Sequence, residues 1–440
     1  MKQPYVRCVE QTGLQTSQHK MVRLMTEQIK WTSALSTRPS LEAAVKEVVD
    51  QAQRSLGTPA DLGLVFISSA FASEYSRLMP LLEEQLSVPV LIGCSGGGVV
   101  GTNIGGQAQE VEQKPALSLT LAYLPGVKIE AFHISAEALP DLDSPPSRWV
   151  ELIGVSSEEQ PNFILLSDPF SSGVNDLLQG LDFAYPEAVK VGGLATAGAM
   201  LSRSSLFCNY QLYQEGTVGV ALSGNIRVEA IVAQGCRPIG QLYRVVEGDR
   251  NILLKLEEQA SSDTVAYGAT RTPLEVLQEL FQSFTEEERE FAQQHLFIGI
   301  AQSEFKQRLE QGDFLIRNLL GVDPRNGALA IGDRVRLGQR IQFHLRDADA
   351  SASDLKTLLE RYQTNVQLGS ASPVGALLFA CMGRGAGLYG EPNFDSQLFQ
   401  HYLNNVPLSG FFCGGEIGPV GNTTFLHGYT SVFGICRGKG

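Results

Sequence analysis

Several features that would narrow the function at once are missing from this chain of 440 residues. No apolar run reaches the ~18–20 residues of a membrane span. The opening MKQPYVRCVEQTGLQTSQHK has no apolar centre of the kind a secretory signal needs. Basic charge is scarce: 34 Lys and Arg against 47 Asp and Glu leave a net charge of -13. That balance argues against a nucleic-acid binder and against docking on an anionic membrane. The seven cysteines are scattered without CxxC spacing, and no two of the six histidines stand as HxxxH. A disulfide framework and a zinc site are both disfavoured, and reduced thiols in a cytoplasmic protein are expected. GxxxxGK[ST] is absent, as is a GxGxxG opening a helix, so no nucleotide cofactor, and no cofactor at all, is indicated. GxSxG and HExxH are missing too, and the chain is not read as an enzyme.

What the chain does have is 43% hydrophobic residues and 45 glycines. Its length exceeds one ordinary core and implies at least two domains. The glycines are patterned. Residues 88–101 read VPVLIGCSGGGVVG and residues 406–418 read VPLSGFFCGGEIG. Both spell G-x3-G-G-x2-G, at 93, 97, 98 and 101 and at 410, 414, 415 and 418. EAVKVGGLATAG at 187–198 is a fainter third copy. Each copy closes a unit that begins with an apolar strand and continues through a helix: LGLVFIS (62–68), NFILLSDPF (162–170) and GALLFACMG (375–383). That order predicts repeated β-α-β crossovers with parallel strands. The first two units match without a gap at an offset of 99, Phe66 against Leu165 and Gly93 against Gly192.

Around the units, alternating stretches at 116–124 and 127–135 predict a hairpin about Pro125-Gly126. TVGVALSG and IRVEAIVAQG predict two more strands. NILLKLEEQAS and TPLEVLQELFQSFTEEEREFAQQ read as helices, with Thr285 and Glu288 as a capping box. Residues 312–347 read as an antiparallel meander, residues 351–365 as a helix, and FLHGYTSVFGIC as one last strand. The fold class is therefore mixed α/β: internally repeated β-α-β units with mixed sheets and antiparallel meanders, in two halves. Residues 1–28 form a polar tail, with Met21 and Met25 as alternative starts; 29–248 and 249–440 form the two domains.

Glycines at strand ends let main-chain N–H groups converge on an anion. The same glycines equally serve a tight turn. Arg384, between glycines at a strand end, can fork onto a ligand carboxylate or bridge to Glu416. Glu416 can accept local N–H groups or face a ligand amine. Cys94 and Cys413 are small hydrophobes or, with His427 or His401 nearby in space, nucleophiles. Ser68, Ser69, Ser167 and Asp168 end strands on the rim where crossover folds bind ligands, and they suit helix caps as well.

GALLFACMGRGAGLYG followed by VPLSGFFCGGEIGPVG resembles the C-terminal half of the FIST domain family. LGLVFIS, VPVLIGCSGGGVVG, TVGVALSG and GCRPIG resemble its N-terminal half. The resemblance covers roughly residues 30–436 and is closest to stand-alone bacterial members. It implies a sensory, small-ligand-binding module of signal transduction, with amino acids or related carboxylates as ligands. Carried onto this chain, the family signatures fall on Arg384 and Gly385, on Gly414, Gly415 and Glu416, and on Gly93, Cys94 and Ser95. No kinase, receptor or F-box segment accompanies them here, so output is expected through a separate signalling partner. A thiol hydrolase or transferase and a non-catalytic scaffold are the alternatives.

Overall fold

Three largely apolar runs, Leu62–Ser68, Asn162–Ser167 and Gly375–Cys381, each become a central strand of a six-stranded sheet. Their side chains alternate between two cores. Leu64 and Phe66, Ile164 and Leu166, and Leu377 and Phe379 enter one interior shared by all three sheets. Val65 and Ile67, Phe163 and Leu165, and Ala376 and Leu378 face outward onto helices. A strand buried on both faces reads as an unbroken apolar run, because period-2 alternation has no polar side to show. The computed structural model describes residues 28–196, 204–259, 267–302, 311–368 and 371–439, with 306, 308 and 309. The tail, its alternative starts and residues 197–198 of the faint repeat lie outside the described residues.

Each central strand is followed by a helix and a parallel partner: Val90–Gly96, Lys190–Leu194 and Leu408–Cys413. The repeated glycine sits in that partner. Gly93, Gly192 and Gly410 lie opposite Val65, Leu165 and Leu378. A Cβ at these positions would stand 2.0, 1.8 and 1.8 Å from the carbonyl oxygens of those residues. No side chain fits, which is the physical reason for the repeat.

Beyond the glycine the chain leaves its own sheet. The expected glycine turns are crossings between sheets. Gly98–Thr102 and Ala108–Glu112 form a hairpin that joins the third sheet on Leu408–Cys413. Glu416–Val420 and Thr423–His427 form one that joins the second sheet on Lys190–Leu194. Leu206–Cys208 and Gln211–Tyr213 join the first on Val90–Gly96. The three units thus exchange hairpins in a ring. The predicted hairpin about Pro125-Gly126 is also a crossing: Leu117–Tyr123 lies in the first sheet and Val127–Ile134 in the second. Thr217–Gly224 and Arg227–Ala233 divide likewise between the second and third. The C-terminal stretch makes two strands, Thr423–His427 and Ser431–Arg437.

Between Arg227–Ala233 and the helix Ala348–Leu368, both elements of the third unit, the chain inserts a ring of strands. In order these are Cys236–Asp249, Arg340–Arg346, Leu296–Ala301, Phe314–Asp323, Ala328–Ile331 and Ile252–Gln259, which pairs back to the first. Tyr267–Arg271 attaches outside. The residues 252–259, expected in a helix, are a strand. A register shift within it leaves Leu254 as an extra residue, so that Leu253 and Leu256, three apart, both point inward. That spacing imitates a helix. The helices Pro273–Gln282 and Glu286–His295 do form, each with a capping box, at Thr272 and Glu275 and at Thr285 and Glu288. The expected division at 248/249 falls at the end of Cys236–Asp249.

The close approach at the repeat glycines has a measurable consequence. Gly93→Ala should cost upward of ~3 kcal/mol, since the obstruction is backbone and cannot move aside. Gly421→Ala, at positive φ but in open space, should cost about 1 kcal/mol. Urea denaturation of both variants is the check; equal losses would show that the carbonyl approach is not what selects glycine.

Candidate ligand site

The parallel strands of the third unit end side by side, with Cys381 opposite Cys413. After Cys381 the chain turns back on itself, the Arg384 N–H donating to the Cys381 carbonyl at 2.9 Å. Gly385 follows at φ +65°, with the Glu112 carboxylate where a Cβ would stand. This reversal aims Arg384 inward at the first turn of the helix Phe394–Tyr402. Its Nε and Nη2 donate to the two oxygens of Asp395 at 2.8 and 3.0 Å. Tyr389 and Ser431 hydroxyls donate to the same carboxylate at 2.9 and 2.6 Å. Arg384 is 0% exposed and Asp395 1%. Burial alone would raise the Asp395 pKa, but the guanidinium and these hydroxyls hold it below its ordinary value.

The exchanged hairpin from the first unit closes over this pair. The Glu110 carboxylate accepts the Ser396 N–H at 2.7 Å and so caps the helix from another unit. Asn393 Oδ1 accepts the Glu110 N–H at 2.7 Å, and the Glu112 carboxylate accepts the Ala386 N–H at 3.0 Å. Burial and the Asp395 charge push Glu110 up to about 8.

Glu416 lies on the other side of the strand ends and is 0% exposed. It accepts the Thr430 N–H at 3.0 Å and the Cys413 thiol at 3.3 Å. Burial pushes it up to about 8, against the Thr430 N–H and the thiols. Burial also raises Cys381 to about 12 and Cys413 well above its ordinary value. His427 Nε2 donates to the Gly418 carbonyl at 3.0 Å, and burial lowers the His427 pKa to about 4. Burial thus favours the protonated thiols, and the acceptor of the Cys413 thiol, Glu416, is a carboxyl whose own pKa burial raises.

Arg384, Gly385 and Glu416 thus belong to one buried polar cluster, but no salt bridge joins Arg384 to Glu416; Asp395 is the partner. Gly93, Cys94 and Ser95 lie apart from it, in the first sheet. There Cys94 is core, and the Ser95 hydroxyl accepts the Ser205 N–H at 3.0 Å. The main-chain donors expected to cradle an anion are in use: Ser95 N–H on Ser205, Gly97 N–H on Phe412 and Gly414 N–H on Leu194. Ser68 bridges Lys114 and Ala116, Ser167 meets Thr217, and Asp168 accepts from Ser204 and Phe170. Ser69 reaches the Gly97 carbonyl. Gly414 borders open space.

That space is a cleft of about 940 Å³. One wall is the exchanged hairpin through Tyr429 and the helix Val174–Ala184 on which it packs. The other is the strand ring, at Phe297, Arg317 and residues 332–339. Asp182 is taken by Lys190 at 2.8 Å and by Thr424. Arg317 is paired with Asp333 at 2.8 Å. Arg334 and Arg336 line the cleft with guanidinium groups that have no ion pair among the described residues. Among those residues no group of three His, Cys, Asp or Glu is arranged for a metal, and no helix is long and apolar enough to cross a membrane.

Several of these residues escaped sequence reading. Asp395 had a signal, an acid in the first turn of a helix. Glu110 had a fainter one, a carboxylate in phase with buried Ala108. Arg334, Arg336 and Tyr429 had none, because the cleft joins segments far apart in the chain.

Two outcomes are expected. A carboxyl group with a raised folded pKa binds more protons folded than unfolded. Its stabilisation is therefore complete below about 4.5 and lost as pH rises toward 8. The stability of the parent relative to Glu416→Gln should fall by up to about 1.4 kcal/mol per pH unit across that window. A difference flat with pH in thermal melts would refute the burial of a protonated Glu416. Iodoacetamide at pH 7 should leave Cys94 and Cys413 unlabelled until denaturant is added, with half-buried Cys381 reacting first. Rapid native labelling of Cys413 would mean a thiolate there.

Comparison with known proteins agrees with the arrangement. The FIST N domain model matches residues 61–259 and the FIST C domain model residues 273–419. An uncharacterized protein of Mycobacterium tuberculosis is 33% identical over 403 residues, covering 91% of this chain and 98% of its own. One of Mycobacterium bovis is 31% identical over 400 residues, covering 91% and 96%. An F-box/LRR-repeat protein of Arabidopsis thaliana is 23% identical over 463 residues, covering 92% and 85%. Two matched halves spanning most of the chain, together with these full-length relatives, make it a member of the FIST family of sensory signal-transduction domains.

Proposed function

We propose that this chain is a non-catalytic cytoplasmic sensor whose cleft takes a small carboxylate-bearing metabolite of the amino-acid class. Occupancy would pass to a separate signalling protein. The observation that carries this reading is the pair of guanidinium groups, Arg334 and Arg336, without an ion pair among the described residues, on one wall of a cleft of about 940 Å³. Their neighbours Asp182 and Asp333 are already neutralised by Lys190 and Arg317. An anionic group entering the cleft therefore meets net positive charge inside an acidic protein.

The cleft also explains how binding would be felt. It lies between the strand ring and a hairpin that the third unit lends to the second. A ligand touching both walls changes the free energy of their separation by its differential affinity. The sequence-derived residues take a supporting part. Arg384 and Asp395 anchor the loop behind this hairpin, and Glu416 starts the hairpin itself. Protonated, buried thiols favour sensing over thiol catalysis.

A thermal-shift screen of amino acids and related carboxylates tests the reading. A true ligand at a hundred times its Kd adds ~2.7 kcal/mol, a rise of roughly 2–5 °C in Tm. The double substitution Arg334→Ala with Arg336→Ala should remove at least half of that rise. No carboxylate shifting the melt, or a shift untouched by the double substitution, would sink it.

A further inference from the structure

Behind the cleft lies a cation with no counter-charge. Arg346, the last residue of its strand, is 5% exposed, and no carboxylate lies within salt-bridge distance of it among the described residues. Its Nη2 donates to the Gly383 carbonyl, and its Nε has no partner. The acids around it are committed elsewhere. Asp347 holds Arg237 at 3.0 Å, Asp354 accepts the Gly235 N–H at 3.0 Å, and Asp395 holds Arg384. Arg384 adds a second positive charge nearby, and burial and that charge both oppose ionisation of Arg346. A buried, uncompensated guanidinium is an arrangement that folding alone disfavours.

One aromatic ring separates Arg346 from the cleft. The guanidinium carbon lies 4.5 Å from the centroid of Tyr429. Tyr429 lines the cleft, and so does Phe297, which packs edge-on against it at 5.0 Å. Tyr429 is also at φ +62°, a left-handed conformation that bulky residues seldom adopt. An unpaired buried cation and a strained aromatic residue therefore meet at the inner end of the cleft.

We propose that Arg346 is an inner carboxylate receptor and that Tyr429 is the gate over it. When the Tyr429 ring swings into the cleft, the Arg346 Nε–H, beside Nη2, offers a side-on fork for one carboxylate. The ring's cation–π contact stands in for the anion until it arrives. The gate keeps the receptor closed to most molecules most of the time, so apparent affinity is reduced by the fraction of open chains. This inference rests on the cleft being the ligand site. It adds the group that would bind the carboxylate most deeply, while Arg334 and Arg336 attract it at the mouth.

The experiment uses the full chain with 15N-labelled arginine and acetate as the probe, against sodium chloride at equal ionic strength. The Arg346 Nε–Hε resonance, identified by its loss in Arg346→Lys, should move on adding acetate and not on adding chloride. Tyr429→Gly, which suits φ +62° and removes the ring, should tighten acetate binding about tenfold. Arg346→Gln should abolish the acetate response, and Arg346→Lys should weaken it about tenfold while keeping the charge for folding. An Arg346 resonance indifferent to saturating acetate, or an acetate affinity unchanged in Tyr429→Gly, overturns the proposal. The two readings fail differently. If the cleft is not a metabolite site, no amino acid or related metabolite of the screen stabilises the chain beyond what acetate gives at the same concentration, yet acetate still moves Arg346. If only this inference fails, stabilisation depends on Arg334 and Arg336 and ignores Arg346.

Discussion

No unit of this protein completes its own sheet. Three β-α-β units each lend a hairpin to the next sheet in a closed ring, and each borrows one in return. The exchange takes place where a strand carries no β-carbon. At Gly93, Gly192 and Gly410 the strand lies so close to its parallel neighbour that a Cβ would meet a carbonyl oxygen. On its other edge the same glycine faces the borrowed hairpin, at Phe207, Ile417 and Val100. The shared interior follows, with Phe66 of the first sheet stacked on Phe411 of the third, and Phe379 edge-on to Phe411 within the third. Removing any one hairpin would open a sheet edge and uncover that interior.

The polar cluster of the third unit is the charged counterpart of this exchange. Arg384 and Asp395 are removed from water, a costly state that only a well-formed fork with added hydroxyl donors makes tolerable. The borrowed hairpin brings Glu110 and Glu112 to the same place and caps the helix carrying Asp395. Hydrogen bonds from the main chain at Ser396 and Ala386 thereby tie this hairpin to the third sheet. On the far side, the hairpin beginning at Glu416 forms one wall of the cleft. The strand ring, inserted into the third unit, forms the other. The cleft is thus assembled from the matched N-terminal and C-terminal halves together, with Asp182 and its helix from one, Arg334 and Arg336 from the other, and Tyr429 from beyond the second match.

How much of this was visible in the chain depends on the range of the interaction that carries it. The capping box of Thr285 and Glu288 is local, and it forms as its spacing predicts. The β-α-β order is nearly local and is present in all three units. Pro125-Gly126 misled because alternation reports which faces are buried and not which strand lies alongside. Leu253 and Leu256 misled because an extra residue within their own strand put two residues three apart on one face. Arg384 stood out as a cation at a strand end, yet the partners considered for it were a ligand carboxylate and Glu416. Choosing Asp395 instead depends on how the helix Phe394–Tyr402 is set down.

The sequence by itself determined the three-fold repetition, the family and the places where a side chain is forbidden. These follow from backbone sterics and burial within units of some thirty to forty residues. Only the tertiary structure decided that the glycine segments are crossings, that hairpins are exchanged in a ring, and that Arg346 lies unpaired behind Tyr429. Those facts rest on contacts between residues as far apart as Val100 and Gly410. A strand's composition fixes how deeply it is buried, while the identity of its neighbour is settled by the packing of the whole chain.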